Sequence, residues 1–156
     1  MNEVKFMPLG EIIVAIARKE IGYEETPKNS NKTKYGKWFG FDGVAWCGMF
    51  VSWCYDKAGK TIRNGGFTKG FAGCQTAAKN FTDKGWIVKE PKAGDVVLFD
   101  WNGDGRYDHT GIFVGWIDDT TFEAIEGNTS LTNQSNGGSV MLRKRKNKGV
   151  IFARPQ

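Results

Sequence analysis

An α+β fold, with N-terminal helices packed on an antiparallel β-sheet, is predicted by two observations. Apolar residues recur at helical spacing through the first half of the chain, and short β-rich runs separated by turn residues fill the half after Gly85. Leu9, Ile12, Ile13, Ile16, Ala17 and Ile21 form one helical stripe, which stops near Gly22. The segment from Glu24 to Gly43 reads as a loop, with Pro27, Asn29-Ser30-Asn31 and glycines at 36, 40 and 43. Its Tyr35, Trp38, Phe39 and Phe41 mark it as packed or ligand-facing. A second helix is predicted from Trp46 to Ala58 and a third from Gly70 to Lys84, each followed by a glycine suited to end it. The strands expected next are Trp86–Val88, Asp95–Phe99, His109–Trp116, Thr121–Ile125, Ser139–Leu142 and Val150–Ala153, set off by Gly, Asp, Asn and Pro turns.

With 156 residues and no repeat, low-complexity tract or linker, the chain reads as one domain, residues 1–156, able to bury its own core. No run approaches the roughly 18 to 20 apolar residues of a membrane span. The apolar stretch Ile12–Ala17 is short, follows Glu11 and runs into Arg18-Lys19-Glu20, unlike a signal peptide. Synthesis in the cytoplasm is therefore expected, with any action outside the cell following release or export by another route. Three cysteines, an odd number without metal-like spacing, argue for reduced thiols, and a single histidine argues against a His/Cys zinc site. The net charge is +5, and the basic residues are scattered except for Arg143-Lys144-Arg145-Lys146-Asn147-Lys148. That run reads as a solvated hairpin end. Attraction to a polyanion (nucleic acid, anionic lipid or envelope phosphates) is its other reading, and charge alone does not choose.

The chemistry centres on Cys47 and on His109, the chain's only histidine. Cys47 opens a hydrophobic helix, where unpaired N–H groups and the helix dipole favour a thiolate and offer an oxyanion site. A buried small hydrophobe is the competing reading, and it is the one adopted for Cys54 and Cys74. His109 opens a β-run directly after a polar turn, where an edge residue can face a cleft. A base also needs a third group to hold its tautomer. Glu126 and Asn128 end the next predicted strand, and i, i+2 spacing places them on one face if the strand continues that far.

The blocks Trp46-Cys47-Gly48-Met49-Phe50-Val51, Gly94-Asp95-Val96-Val97-Leu98-Phe99, Asp108-His109-Thr110-Gly111-Ile112 and Ile125-Glu126-Gly127-Asn128 resemble the signatures of CHAP domains. These are cysteine, histidine-dependent amidohydrolases/peptidases of the papain-like NlpC/P60 superfamily. The resemblance runs from about Tyr23 to Phe152, and Asn29–Gly36 is similar to the phage endolysin branch. It implies Cys47 as nucleophile, His109 as general base and then acid, Glu126 as orienter of the imidazole and Asn128 as an auxiliary polar group. The implied partner is bacterial peptidoglycan, not nucleic acid, cut by a monomer at an amide of the stem peptide, the cross-bridge or the muramoyl–alanine link. An acyl transferase or transpeptidase of the same fold, and a non-catalytic wall- or calcium-binding module, are the alternative readings. No wall-binding module follows, so wall attachment is expected from this domain's own surface, unless the chain is an excised piece.

The chemistry so implied requires no cofactor. In the loop Asp100–Asp108, however, Asp100, Asn102, Asp104 and Asp108 stand at positions 1, 3, 5 and 9 of a calcium-loop pattern, with Gly105 at 6. Gly111 replaces the bidentate Glu of position 12. A structural Ca²⁺ and a plain polar hairpin turn are both compatible with this loop. Of six tryptophans most belong to the core, while Trp46, Trp101 and Tyr107 flank the catalytic candidates and are expected to wall a substrate groove.

Overall fold

Four helices precede and flank a six-stranded antiparallel sheet in the computed structural model, which describes residues 6–156. Helix α1 spans Leu9–Glu20, with Glu11 in its first turn and Arg18 and Lys19 in its last, as the macrodipole favours. It buries Ile13, Val14 and Ala17 from the predicted stripe. Helix α3, Cys47–Lys57, begins after Trp46, and α4, Cys74–Asp83, begins four residues later than expected. The reason for the late start is local: Gly70 has φ +140°, outside any helical conformation, and Gly73 is extended at the N-cap.

The predicted loop also contains a short helix, α2, Lys34–Phe39. Thr33 caps it by accepting the Gly36 N–H at 3.0 Å, and Gly40 ends it in the left-handed region at φ 95°. Tyr35 is the reason it stays folded. Its ring is buried among Tyr23, Trp46, Phe50 and Trp53.

The strands are β1 Ile87–Val88, β2 Val96–Phe99, β3 His109–Trp116, β4 Thr121–Thr129, β5 Ser139–Lys146 and β6 Val150–Ala153. Their order across the sheet is β1-β6-β2-β3-β4-β5, every pair antiparallel. The predicted antiparallel sheet is thus present, with β4 and β5 each four residues longer than expected. The extra length of β5 overturns the solvated reading of the basic run. Lys144, Lys146 and Lys148 are exposed, but Arg145 is buried and Arg143 half-buried.

The main core lies between α1, α3 and α4 and one face of the sheet, with Val96, Leu98, Ile112 and Ile125 facing the helices. Val97, Phe99, Phe113, Phe122 and Phe152 form a second cluster. Consecutive β2 residues fall in different clusters because successive side chains point to opposite faces. No helix among the described residues is long and apolar enough to cross a membrane.

Candidate active site

Helix α3 packs across β3 and β4, so the helix start, the first residue of β3 and the end of β4 meet at one place. Two glycines permit that approach. A Cβ on Gly127 would lie 2.7 Å from Phe50 Cβ and 2.8 Å from the Trp46 ring, and one on Gly111 would lie 2.7 Å from Glu126 Cγ. Cys47 sits in the first turn, where Gly48 and Met49 N–H groups precede the first intrahelical bond, from Phe50 N–H to Trp46 O at 2.9 Å.

His109 Nε2 lies 2.9 Å from Glu126 Oε1, both side chains being fully buried. The other ring nitrogen, Nδ1, is buried and has no hydrogen-bond partner within normal range, sulfur included. The Cys47 thiol is the neighbour with which the ring exchanges influence, each shifting the other's protonation. Since Nε2 is engaged by Glu126, Nδ1 is the ring nitrogen without a partner. The Trp101 ring stacks on the imidazole, with centroids 5.4 Å apart and planes 28° apart, and fixes its tilt.

Cys74, at the start of α4, places its Sγ 3.9 Å from the Cys47 Sγ. Hydrogen bonding from that thiol lowers the Cys47 pKa most; burial opposes it, and His109 and the Gly48 N–H add to the lowering. The net result is a thiol well below its ordinary value near 9. Burial by itself would lower the His109 pKa, but hydrogen bonds and charge from Cys47 and Glu126 prevail and raise it from 6.5 to about 9. The pair therefore favours thiolate and imidazolium together, and the two titrate as a unit.

Arg145 is the member of the site that sequence reasoning missed. Its Nε donates to Glu126 Oε2 at 2.8 Å and its Nη2 to Oε1 at 2.6 Å, a two-pronged clamp on a buried carboxylate. Its Nη1 donates to Gln134 Oε1 at 2.8 Å, and its guanidinium lies 4.7 Å from the Trp101 ring centre. Burial raises the Glu126 pKa, yet Arg145 and His109 outweigh it and leave the carboxylate below its ordinary range. The available signal was alternation: Arg143 and Arg145 point to one face of β5 and Lys144 and Lys146 to the other.

Asn128 is not brought to the imidazole by any hydrogen bond. It lies at φ 56°, where the β4–β5 register slips between Glu126 and Thr129, so the expected i, i+2 alternation breaks. Its amide oxygen accepts the Gly138 N–H at 3.2 Å and its amide nitrogen donates to Asn136 Oδ1 at 3.1 Å, which ties down the β4–β5 connection. Trp46 is also displaced from its expected role. It is fully buried and stacked on Tyr35, so it supports the helix start instead of walling a groove. Tyr107 packs towards α4, its N–H donating to Gln75 Oε1 at 2.9 Å. Trp101 does border open space, a cleft of about 710 Å³ shared with Asp100, Arg145 and three lysines.

The Asp100–Asp108 loop folds three of its side-chain oxygen atoms onto its own backbone and leaves Asp100 Oδ1 buried without a partner. Asp100 Oδ2 accepts from Gly105 N–H at 2.9 Å, Asn102 Oδ1 from Asp104 N–H at 3.3 Å and Asp104 Oδ1 from Arg106 N–H at 2.8 Å. The Asp108 charge instead lies towards Cys74. Among the described residues no group of three or more His, Cys, Asp or Glu side chains converges to hold a metal ion.

Residues 38–128 match the model of the CHAP domain family. Among solved structures the fold is similar to RipD from Mycobacterium tuberculosis, described as a non-catalytic NlpC/p60 domain protein adapted to peptidoglycan binding. The TM-score is 0.53 at 11% identity, covering 96% of this chain and 98% of that one. No curated protein matches the sequence significantly.

Proposed function

Because the chain belongs to the CHAP domain family, we propose that it is a peptidoglycan hydrolase that cuts an amide bond through a Cys47–His109–Glu126 thiol mechanism. The observation that supports this reading is the engagement of His109 Nε2 by Glu126, at 2.9 Å, which leaves the buried, unpartnered Nδ1 as the ring nitrogen available to Cys47. The Cys47 thiolate attacks the amide carbonyl, and the free N–H groups of the first turn of α3 face the developing oxyanion. The His109 imidazolium then gives its proton to the leaving amine. A water molecule, deprotonated by His109, releases the acyl group from sulfur and restores the thiolate. Glu126 keeps the ring oriented throughout, and Arg145 keeps Glu126 ionised and in place. No step requires a metal ion. Residues 1–156 act in this reading as one monomeric catalytic domain, working on the bacterial wall.

The experiment is digestion of purified walls of several chemotypes, with new termini identified by mass spectrometry. New amine and carboxyl termini in equal amounts from the wild type, and none from Cys47→Ala, are expected; they also name the amide, whether stem peptide, cross-bridge or muramoyl–alanine link. A second reading, wall binding without turnover, draws on the low exposure of the site, 3% for Cys47 and 0% for His109. Under that reading the wild type and Cys47→Ala sediment with walls equally and neither releases new termini.

A further inference from the structure

Two of the three thiols are neighbours although 27 positions separate them in sequence. Cys47 and Cys74 are the first residues of α3 and α4, both buried, with their sulfur atoms 3.9 Å apart. The chain leading into α4 is clamped to α3, which fixes this spacing. Ser52 Oγ donates to Gly48 O at 2.8 Å and accepts the Phe71 N–H at 2.9 Å, and Gly48 itself leaves no room for a Cβ beneath the Phe71 carbonyl. Cys54 is a natural control. It lies two turns further along α3, is fully buried, and has a thiol that burial pushes well above its ordinary pKa.

The geometry points to Cys47 and Cys74 as a reversible oxidation site that a small hydroperoxide converts to a disulfide. The Cys47 thiolate attacks a peroxide oxygen and the O–O bond breaks, giving Cys47 sulfenic acid and a hydroxide that takes up a proton to become water. Cys74 then attacks the Cys47 sulfur. The S–O bond breaks, and the departing hydroxide leaves as a second water with the proton from the Cys74 thiol. Two thiols lose two electrons and two protons, and one hydrogen peroxide becomes two waters. The sulfur atoms need to close by roughly 1.9 Å to reach a disulfide bond of about 2.05 Å. Closure protects Cys47 from the irreversible sulfinic and sulfonic acids. The linkage stands on thiol geometry alone; only its effect on lysis rests on the hydrolase reading.

The test treats the purified full chain with a few equivalents of hydrogen peroxide, alkylates it, digests it and maps the peptides. A Cys47–Cys74 linked peptide, two hydrogens lighter than the reduced pair, is expected, with Cys54 alkylated. Wall lysis should be lost alongside it and return on addition of dithiothreitol. In Cys74→Ser the link is absent and Cys47 accumulates as sulfinic acid that dithiothreitol does not reverse. Cys47 sulfinic acid in the wild type with no linked peptide, or a link to Cys54, overturns the proposal. A linked peptide from a protein that never lyses walls supports the oxidation site and removes the hydrolase reading instead.

Discussion

Cys47 and His109 could be singled out as candidates from sequence, one as a thiol opening an apolar helical run and one as the only imidazole in the chain, although Cys74 also opens a helix in the structure. Arg145 could not, because a basic run looks solvated until the strand that carries it has a register and a buried partner. The placement of Asn128 departs from expectation for a related reason: alternation predicts a face only where the ladder is regular, and β4 slips at this residue. Cys47→Ala and His109→Ala are each expected to lower wall lysis by about 10³-fold or more with the fold retained, measured by turbidity loss and circular dichroism. Wild-type lysis by either variant removes the residue from the mechanism. Arg145→Met leaves the Glu126 carboxylate buried without its cation, which costs about 3–5 kcal/mol of stability. Denaturant titration reads that loss, and Arg145→Lys should recover part of it by restoring the charge without the two-pronged geometry. Equal stability of Arg145→Met and the wild type would show that the clamp contributes nothing.

At the scale of elements, strands were more legible than helices. Short β-rich runs bounded by turn residues announced all six strands, whereas the start of α4 depended on the backbone at Gly70 and α2 on the burial of Tyr35. The packing of α3 on β4 was not legible, since it depends on what Gly127 lacks. Gly127→Ala places a methyl group against Phe50 and the Trp46 ring. An overpacked contact of this kind costs about 1–3 kcal/mol, a fall in melting temperature of roughly 2–4 °C for each kcal/mol at this chain length. Lysis per folded molecule should fall as well, because the same displacement moves Cys47 away from His109. An unchanged melting curve for Gly127→Ala would mean that the helix is free to shift.

For the molecule as a whole, the thiolate–imidazolium pair sets the pH response. Lysis should decline as pH rises through about 9, where His109 gives up its proton, and decline again on the acid side as Cys47 is protonated. Stability follows by linkage: the lowered Cys47 thiol contributes above its unfolded value near 9 and loses that contribution as pH falls through its folded value, which opposes the His109 slope between 6.5 and 9. The His109 contribution is complete below the unfolded value near 6.5 and is lost as pH rises through about 9. The Glu126 contribution is present above the ordinary carboxylate value and is lost as pH falls through its lowered folded value. Urea midpoints measured from pH 4 to 10 check these limbs, and a steep net slope between pH 7 and 9 contradicts the paired titration of Cys47 and His109. The Asp100–Asp108 loop bonds several of its oxygen atoms to its own backbone but leaves Asp100 Oδ1 buried without a partner; a melting temperature that rises from chelator to millimolar calcium would establish a metal site there, and identical melting curves would leave a plain hairpin turn. The strand order carries a consequence for biosynthesis. Val150–Ala153, the last strand of this sheet in chain order, lies between β1 and β2. Until the ribosome has delivered it, β1 has no partner and the apolar run Val96–Phe99 is an open edge, a template for mispairing with other nascent chains. Chains stalled short of residue 150 should therefore be the ones that chaperones hold and proteases clear.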